Sequence, residues 1–252
     1  MNFALIDWFI VGAYLVLTLA AGFWASRYVK NLSGYLVAGR GVKVALGVAT
    51  FAATEFGTIT FMYFAELGYV SGFACFSIGI LAMLAYFVIG KTGFIVEALR
   101  RFEVMTIPEF YEVRFGRKVR LLGGVLLFLA GVLNMGIFLK FDGIFLSEVM
   151  GFGQGAIVVI MVIMLIIVVL YTVVGGMFSV VVTDYLQFVV LSFGLLTTTI
   201  LVLTKVDIPL LSKAVFDQYG EGGFNPILNP RYGWAFLVWV FVTNLAAAAL
   251  WQ

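Results

Sequence analysis

The sequence predicts an all-α, polytopic helical membrane protein, and three observations carry that prediction. Hydrophobic residues make up 63% of the 252-residue chain and charged residues 11%, with a mean hydropathy of +1.14, whereas a soluble domain has about a quarter of its residues charged. Charge-free stretches of membrane-crossing length recur serially, which soluble cores do not produce. These stretches are apolar on every face instead of alternating as barrel strands do, so the spans are helices.

Six spans can be read wherever about 20 mostly apolar residues occur together. They run from about Trp8 to Ser26, Val44 to Glu66 with Glu55 as an interruption, Phe73 to Ala98, Leu121 to Leu139, Ala156 to Val174, and Tyr185 to Thr204. A seventh begins near Tyr232 and reaches Gln252. No basic residue precedes the first run, Asp7 does, and no small-residue cleavage site comes before Arg27. The first segment is therefore expected to remain as an anchor and not to be cut away as a signal peptide.

Orientation follows from the basic residues. Arg27, Lys30, Arg40 and Lys43 follow the first span, and Arg100, Arg101, Arg114, Arg117, Lys118 and Arg120 follow the third, so ten of the fifteen Lys and Arg share one side. That side is expected to be cytoplasmic, with the N-terminus outside. A topology signal accounts for these loops without a nucleic-acid or lipid-binding role. The opposite loops, Glu66 to Gly72, Lys140 to Gly155 and Lys205 to Arg231, hold Asp142, Glu148, Asp207, Asp217 and Glu221. The chain has no histidine and one cysteine, Cys75, so neither His-based catalysis nor an internal disulfide is available. The "GGM" at Gly175 to Met177 lacks the Lys and Ser/Thr of a phosphate-binding loop. "NLS" at Asn31 matches a glycosylation sequon but falls in the expected cytoplasmic loop. No enzymatic chemistry is expected.

The stretch "ATFAATEFGTITF", Ala49 to Phe61, puts an acid and a glycine where lipid is expected. Breaking a helix inside the bilayer leaves backbone groups unpaired, at several kcal/mol each unless they face protein, water or a ligand. Transporters use such breaks to coordinate cations with unwound carbonyls and to face anionic groups with half-helix N-termini. Gly57 relaxes the backbone, Thr54, Thr58 and Thr60 offer hydroxyls, Glu55 supplies charge, and Ala52 and Ala53 admit a neighbouring helix. The alternative is a kinked helix whose Glu55 meets interfacial water or a basic residue. Further along, Thr106, Pro108, Glu109 and Glu112 fit the first turn of a short cytoplasmic helix. Gly175 and Gly176 permit a tight turn after the fifth span, and Thr183 with Asp184 reads as an N-cap of the sixth.

Five ordered motifs, "SRYVKNLSGYLVAGR", "ATEFGTITF", "ELGYVSG", "TIPEFYEVRFG" and "YTVVGGMFSVVVTDYLQ", resemble those of the solute:sodium symporter family with its LeuT-type inverted-repeat fold. The resemblance covers essentially the whole chain. It implies one transmembrane domain over residues 1–252: a peripheral helix at about 5–27, the first five-helix repeat at about 44–204, an extracellular loop at 205–231 and the start of the next core helix at 232–252. By resemblance, sodium is the coupling ion, the carbonyls of Ala52 and Glu55 are ligands in its main site, and Asp184 of the Thr-Asp-x-x-Gln motif stands on its cytoplasmic exit path. Thr58, Thr60, Ser77 and Asn244 are expected to face the solute, with Met62 and Phe76 either lining that pocket or simply packing. The relatives' eighth core helix, which completes the sodium site, lies beyond this chain's length. The expectation is thus an N-terminal fragment, truncated after the first repeat plus part of the next helix, of a plasma-membrane symporter importing a small organic solute. A transporter-like sensor or an inactive truncated product are the alternatives. "GFACFSIGI", Gly72 to Ile80, lacks the acid that sugar carriers present there, so an organic anion, an amino acid or a vitamin-like acid is expected in preference to a sugar.

Overall fold

The computed structural model describes residues 4–250, and all regular structure among them is helical. The C-terminal Trp251 and Gln252, to which the truncation expectation refers, lie outside the described residues. Helix α1 (Leu5–Ser26) opens with the Asp7 carboxylate accepting the Ala4 N–H at 2.8 Å, an acid well placed against the helix dipole. Helix α2 (Leu32–Val37) is capped by Asn31, whose side chain accepts the Gly34 N–H at 2.7 Å. Capping is thus the physical use of the Asn in "NLS". Ala38, Gly39 and Arg40 follow with φ of 49°, 63° and 55°. This left-handed run turns the chain through 103° into α3 (Val44–Glu55), which gives the "AGR" motif its structural purpose.

Helix α4 (Thr58–Ser71) continues through a 3-10 turn at Gly72–Cys75 into α5 (Phe76–Thr92), a 35-residue run apolar enough to cross a membrane. The third span was expected to reach Ala98, but α5 stops at Thr92 because Gly93 takes φ 63° and returns its N–H to the Ile89 carbonyl. Two short helices follow, α6 (Val96–Arg101) and α7 (Ile107–Phe115). The expected cap of α7 is present. Thr106 Oγ1 accepts the Glu109 N–H at 3.3 Å, and Glu109 reaches back to the Met105 N–H at 2.7 Å. Thr106→Ala is expected to cost about 1 kcal/mol, read as a lower thermal unfolding midpoint that Thr106→Ser restores.

Helix α8 (Arg117–Met150) runs well past the expected end at Leu139. Its Gly143 sits where a Cβ would come within 2.8 Å of the Met161 side chain, so that glycine serves close helix approach and not a turn. Asp142, expected in a loop, is accordingly a helical residue. Helix α9 (Ile157–Lys205) joins the fifth and sixth expected spans, with its only described break at Gly176, φ 56° and ψ −155°. The helix resumes at once, so the expected cap at Thr183 and Asp184 is not formed. Both lie inside the helix, and Thr183 donates to the Val180 carbonyl at 2.9 Å. The expected loop 205–231 contains α10 (Ile208–Tyr219), and α11 (Gly233–Leu250) completes the described chain. Among the described residues four helices are long and apolar enough to cross a membrane, or five with the bent pair of α2 and α3 counted as one span. Six spans were expected. The lower count takes the apolar runs on either side of Gly72 and of Gly176 as one helix each, although the backbone at both glycines is non-helical.

The chain gathers into two compact units, Met1–Phe61 with Arg117–Thr197, and Met62–Gly116 with Thr198–Gln252. In the first, α1 and α9 approach through small residues. Ala25 is fully buried, the Ser179 hydroxyl donates to the Gly22 carbonyl at 2.6 Å, and a Cβ on Gly22 would lie 2.9 Å from Tyr171 Cβ. In the second, α5 and α11 pack along their lengths, with Ala74, Ile78, Tyr232 and Val240 at one end and Ile89 and Ala248 at the other. The most apolar 18-residue window of α8 is 0% buried. Surface of that kind is untenable in water and is normal against lipid or other transmembrane helices.

Candidate functional site

The helix break lies where the acid and glycine of "ATFAATEFGTITF" pointed. Helix α3 ends at Glu55, Phe56 leaves helical geometry at φ −99° and ψ 62°, and α4 starts at Thr58. The Phe56 N–H still reaches the Ala52 carbonyl at 3.0 Å, and the Thr60 hydroxyl donates to the Glu55 carbonyl at 2.8 Å. Each of these carbonyls thus has one protein donor and keeps a second lone pair for a cation. The Glu55 side chain is exposed and forms no ion pair among the described residues. The alternative in which Glu55 is neutralised by a basic residue is therefore not realised here.

A cavity of about 480 Å³ adjoins the break. Ala53, Phe56, Gly57, Thr58 and Phe61 supply its wall from the break itself, Tyr14 from α1, Phe145 from α8, and Gln187, Val190, Leu191 and Leu195 from α9. Open backbone and an adjoining cleft thus occur together, as an intramembrane binding site requires.

Asp184 lies one turn before Gln187 on α9, and its Oδ2 accepts a hydrogen bond from the Thr50 hydroxyl on α3. Thr54, one turn on, bonds the Thr50 carbonyl at 2.8 Å. The acid of the Thr-Asp-x-x-Gln motif is therefore tied to the helix that ends at the break, while the motif's glutamine faces the cavity. Two further motifs meet at Gly176. Tyr35 of α2 donates its hydroxyl to the Val173 carbonyl at 3.0 Å, and a Cβ on Gly176 would stand 2.5 Å from the Tyr35 carbonyl oxygen.

Of the sequence-predicted site residues, Ala52, Glu55, Thr58, Thr60 and Asp184 belong to the first unit, and only Thr58 among them lines the cavity. Ser77 and Asn244 belong to the second unit, as do Met62 and Phe76. There Ser77 donates to the Ala74 carbonyl at 2.7 Å and the Asn244 amide to the Val240 carbonyl at 2.8 Å. Sequence reasoning missed Tyr14, Asp142, Phe145 and Gln187. Gln187 was legible as the last member of its motif. Asp142 was hidden by the early end assigned to the fourth span. Its carboxyl lies within hydrogen-bonding reach of the Thr58 side chain. No group of three or more His, Cys, Asp or Glu side chains suited to a metal occurs among the described residues.

Comparison with known proteins agrees with the motifs. Residues 35–221 match the sodium:solute symporter family. The chain is 28% identical over 204 residues to the sodium/myo-inositol cotransporter of Mus musculus, covering 78% of this chain and 27% of that protein. It is 28% identical over 240 residues to the sodium/sialic acid symporter SiaT of Proteus mirabilis, covering 92% and 46%. To the sodium/glucose cotransporter of Vibrio parahaemolyticus it is 25% identical over 240 residues, covering 90% and 43%. The chain thus spans about a quarter to a half of the length of these relatives. No solved structure matches. Matched over three quarters of its length and built from apolar helices with the family's motifs at the helix break and the Gly176 kink, the chain belongs to the sodium:solute symporter family.

Proposed function

We propose that this chain forms part of a sodium-coupled symporter that imports a small organic solute across the plasma membrane, with its N-terminus outside. The observation that carries the proposal is the interruption at Phe56 and Gly57 with a cavity against it. In this reading the free lone pairs of the Ala52 and Glu55 carbonyls contribute to a sodium site. Asp184, held by Thr50, stands on the ion's path to the cytoplasm. Thr58 and Thr60, at and just after the break, face the solute. Relatives named for myo-inositol, sialic acid and glucose support sodium coupling while naming three different solutes.

Coupling requires only that sodium and solute each stabilise the state the other prefers, so that their affinities are reciprocally linked. An ion bound at the break offsets the cost of open backbone and favours the geometry that faces the solute. The sodium gradient and the membrane potential, about 2.3 kcal/mol per charge at 100 mV, then drive inward release. Uptake of a panel of labelled solutes into proteoliposomes tests the proposal. At least one solute is expected to accumulate only with an inward sodium gradient; accumulation indifferent to sodium for every solute tested would overturn it.

A further inference from the structure

Asp142 is a carboxylate inside an apolar helix, and the sodium reading leaves it without a role. A half-buried carboxylate is retained where it has a partner or a ligand. Its carboxyl lies within reach of the side chain of Thr58, the first residue of α4 and part of the cavity wall. Phe145, three residues further along the same face of α8, lines the same cavity. The nearest basic residue in sequence, Lys140, is two positions away and so points elsewhere on the helix. Asp142 forms no ion pair among the described residues.

The wall that this carboxylate stands behind has a particular chemistry. Tyr14, Phe56, Phe61 and Phe145 present four aromatic rings, Thr58 and Gln187 are its other polar-bearing members, and no charged residue lines it. Ring faces attract cations and do so most strongly when water is excluded. A carboxylate behind Thr58 adds a negative potential of the same sense. An inorganic ion needs a shell of oxygens to replace its water, and the rings and aliphatic chains of this wall leave that task to the carbonyls of the break. An anionic group finds no positive side chain here. An alkylammonium, weakly hydrated and apolar on its outside, fits both features.

We propose that this cavity receives the ammonium group of the transported solute, with Asp142 as counter-charge and the four rings as its cage. The inference deepens the symport reading and rests on it for the word "transported"; the binding site itself can be tested separately. Choline and its uncharged isostere 3,3-dimethyl-1-butanol differ in the charge of the head group and little in shape. Calorimetric titration of each into the protein in lipid nanodiscs, with sodium present, is expected to give choline at least a tenfold advantage. Asp142→Asn is expected to bring that ratio near one, and Phe145→Leu to reduce it several-fold. If Asp142→Asn fails to fold, Phe145→Leu alone decides the matter. Equal affinities in the native protein, or a ratio unmoved by the folded variants, would overturn the proposal. Sodium-independent uptake with the ratio intact would instead remove the symport reading and leave the cation site standing.

Discussion

Gly176→Ala is expected to lower stability by about 2–4 kcal/mol, the sum of a left-handed backbone imposed on a residue with a Cβ and of overpacking. The backbone at Gly176 has φ 56°, and the added Cβ would lie 2.5 Å from the Tyr35 carbonyl oxygen and 2.7 Å from its ring. Neither neighbour is free to withdraw. The carbonyl is backbone, and the ring is anchored by its hydroxyl on Val173. Thermal unfolding in detergent, with Gly194→Ala as the control, checks the result. Gly194 sits later in the same helix, and a Cβ there would meet nothing within 4 Å, so that substitution is expected to be neutral or slightly stabilising. Equal unfolding midpoints for the two variants would mean that the packing of α2 on the kink is not what holds this unit in shape.

Asp184→Asn is expected to raise the sodium concentration for half-maximal uptake about tenfold, a coupling of the usual size for linked sites. The substitution preserves side-chain shape and the contact with Thr50 while removing the charge. An unchanged sodium dependence would take Asp184 off the ion's path and leave it as a helix–helix tie. Thr50→Val separates those roles from the other side. It strips the hydroxyl from a partly buried acid, for about 1–3 kcal/mol of destabilisation, while the charge remains. The double variant is expected to be less destabilised than the two single losses added together, because the residues share one interaction.

Several parts of this arrangement were legible in the residues. The break was announced by Glu55 and Gly57 between apolar runs, an acid and a backbone-relaxing residue whose pairing favours a breach over a mere kink. The Thr106 cap was legible because its donors and acceptors are neighbours in the chain. The Gly-Gly turn was legible for the same reason: a glycine pair between two apolar runs has few other uses. Asp184 was harder. A Thr-Asp pair before an apolar run has the local pattern of a cap, and only the resumption of the helix at Met177 shows that the pair lies within it. The end of the fourth span was misplaced by Lys140 and Asp142, whose charges imitate a loop. Helix α8 carries them to Met150 because the intervening residues contain no proline, and Gly143 is used for contact with α9.

By itself the sequence determined the class: apolar stretches of bilayer length and the position of the interruption between α3 and α4. These are properties of solvation and local backbone chemistry, and each is written in consecutive residues. The tertiary structure decided which groups meet. Thr50 finds Asp184 134 positions away, Tyr35 closes on the kink at Gly176, and Asp142 comes within reach of Thr58. Such pairings depend on how helices rotate and cross, and a uniformly apolar helix carries no hydrophobic stripe to declare which face turns inward.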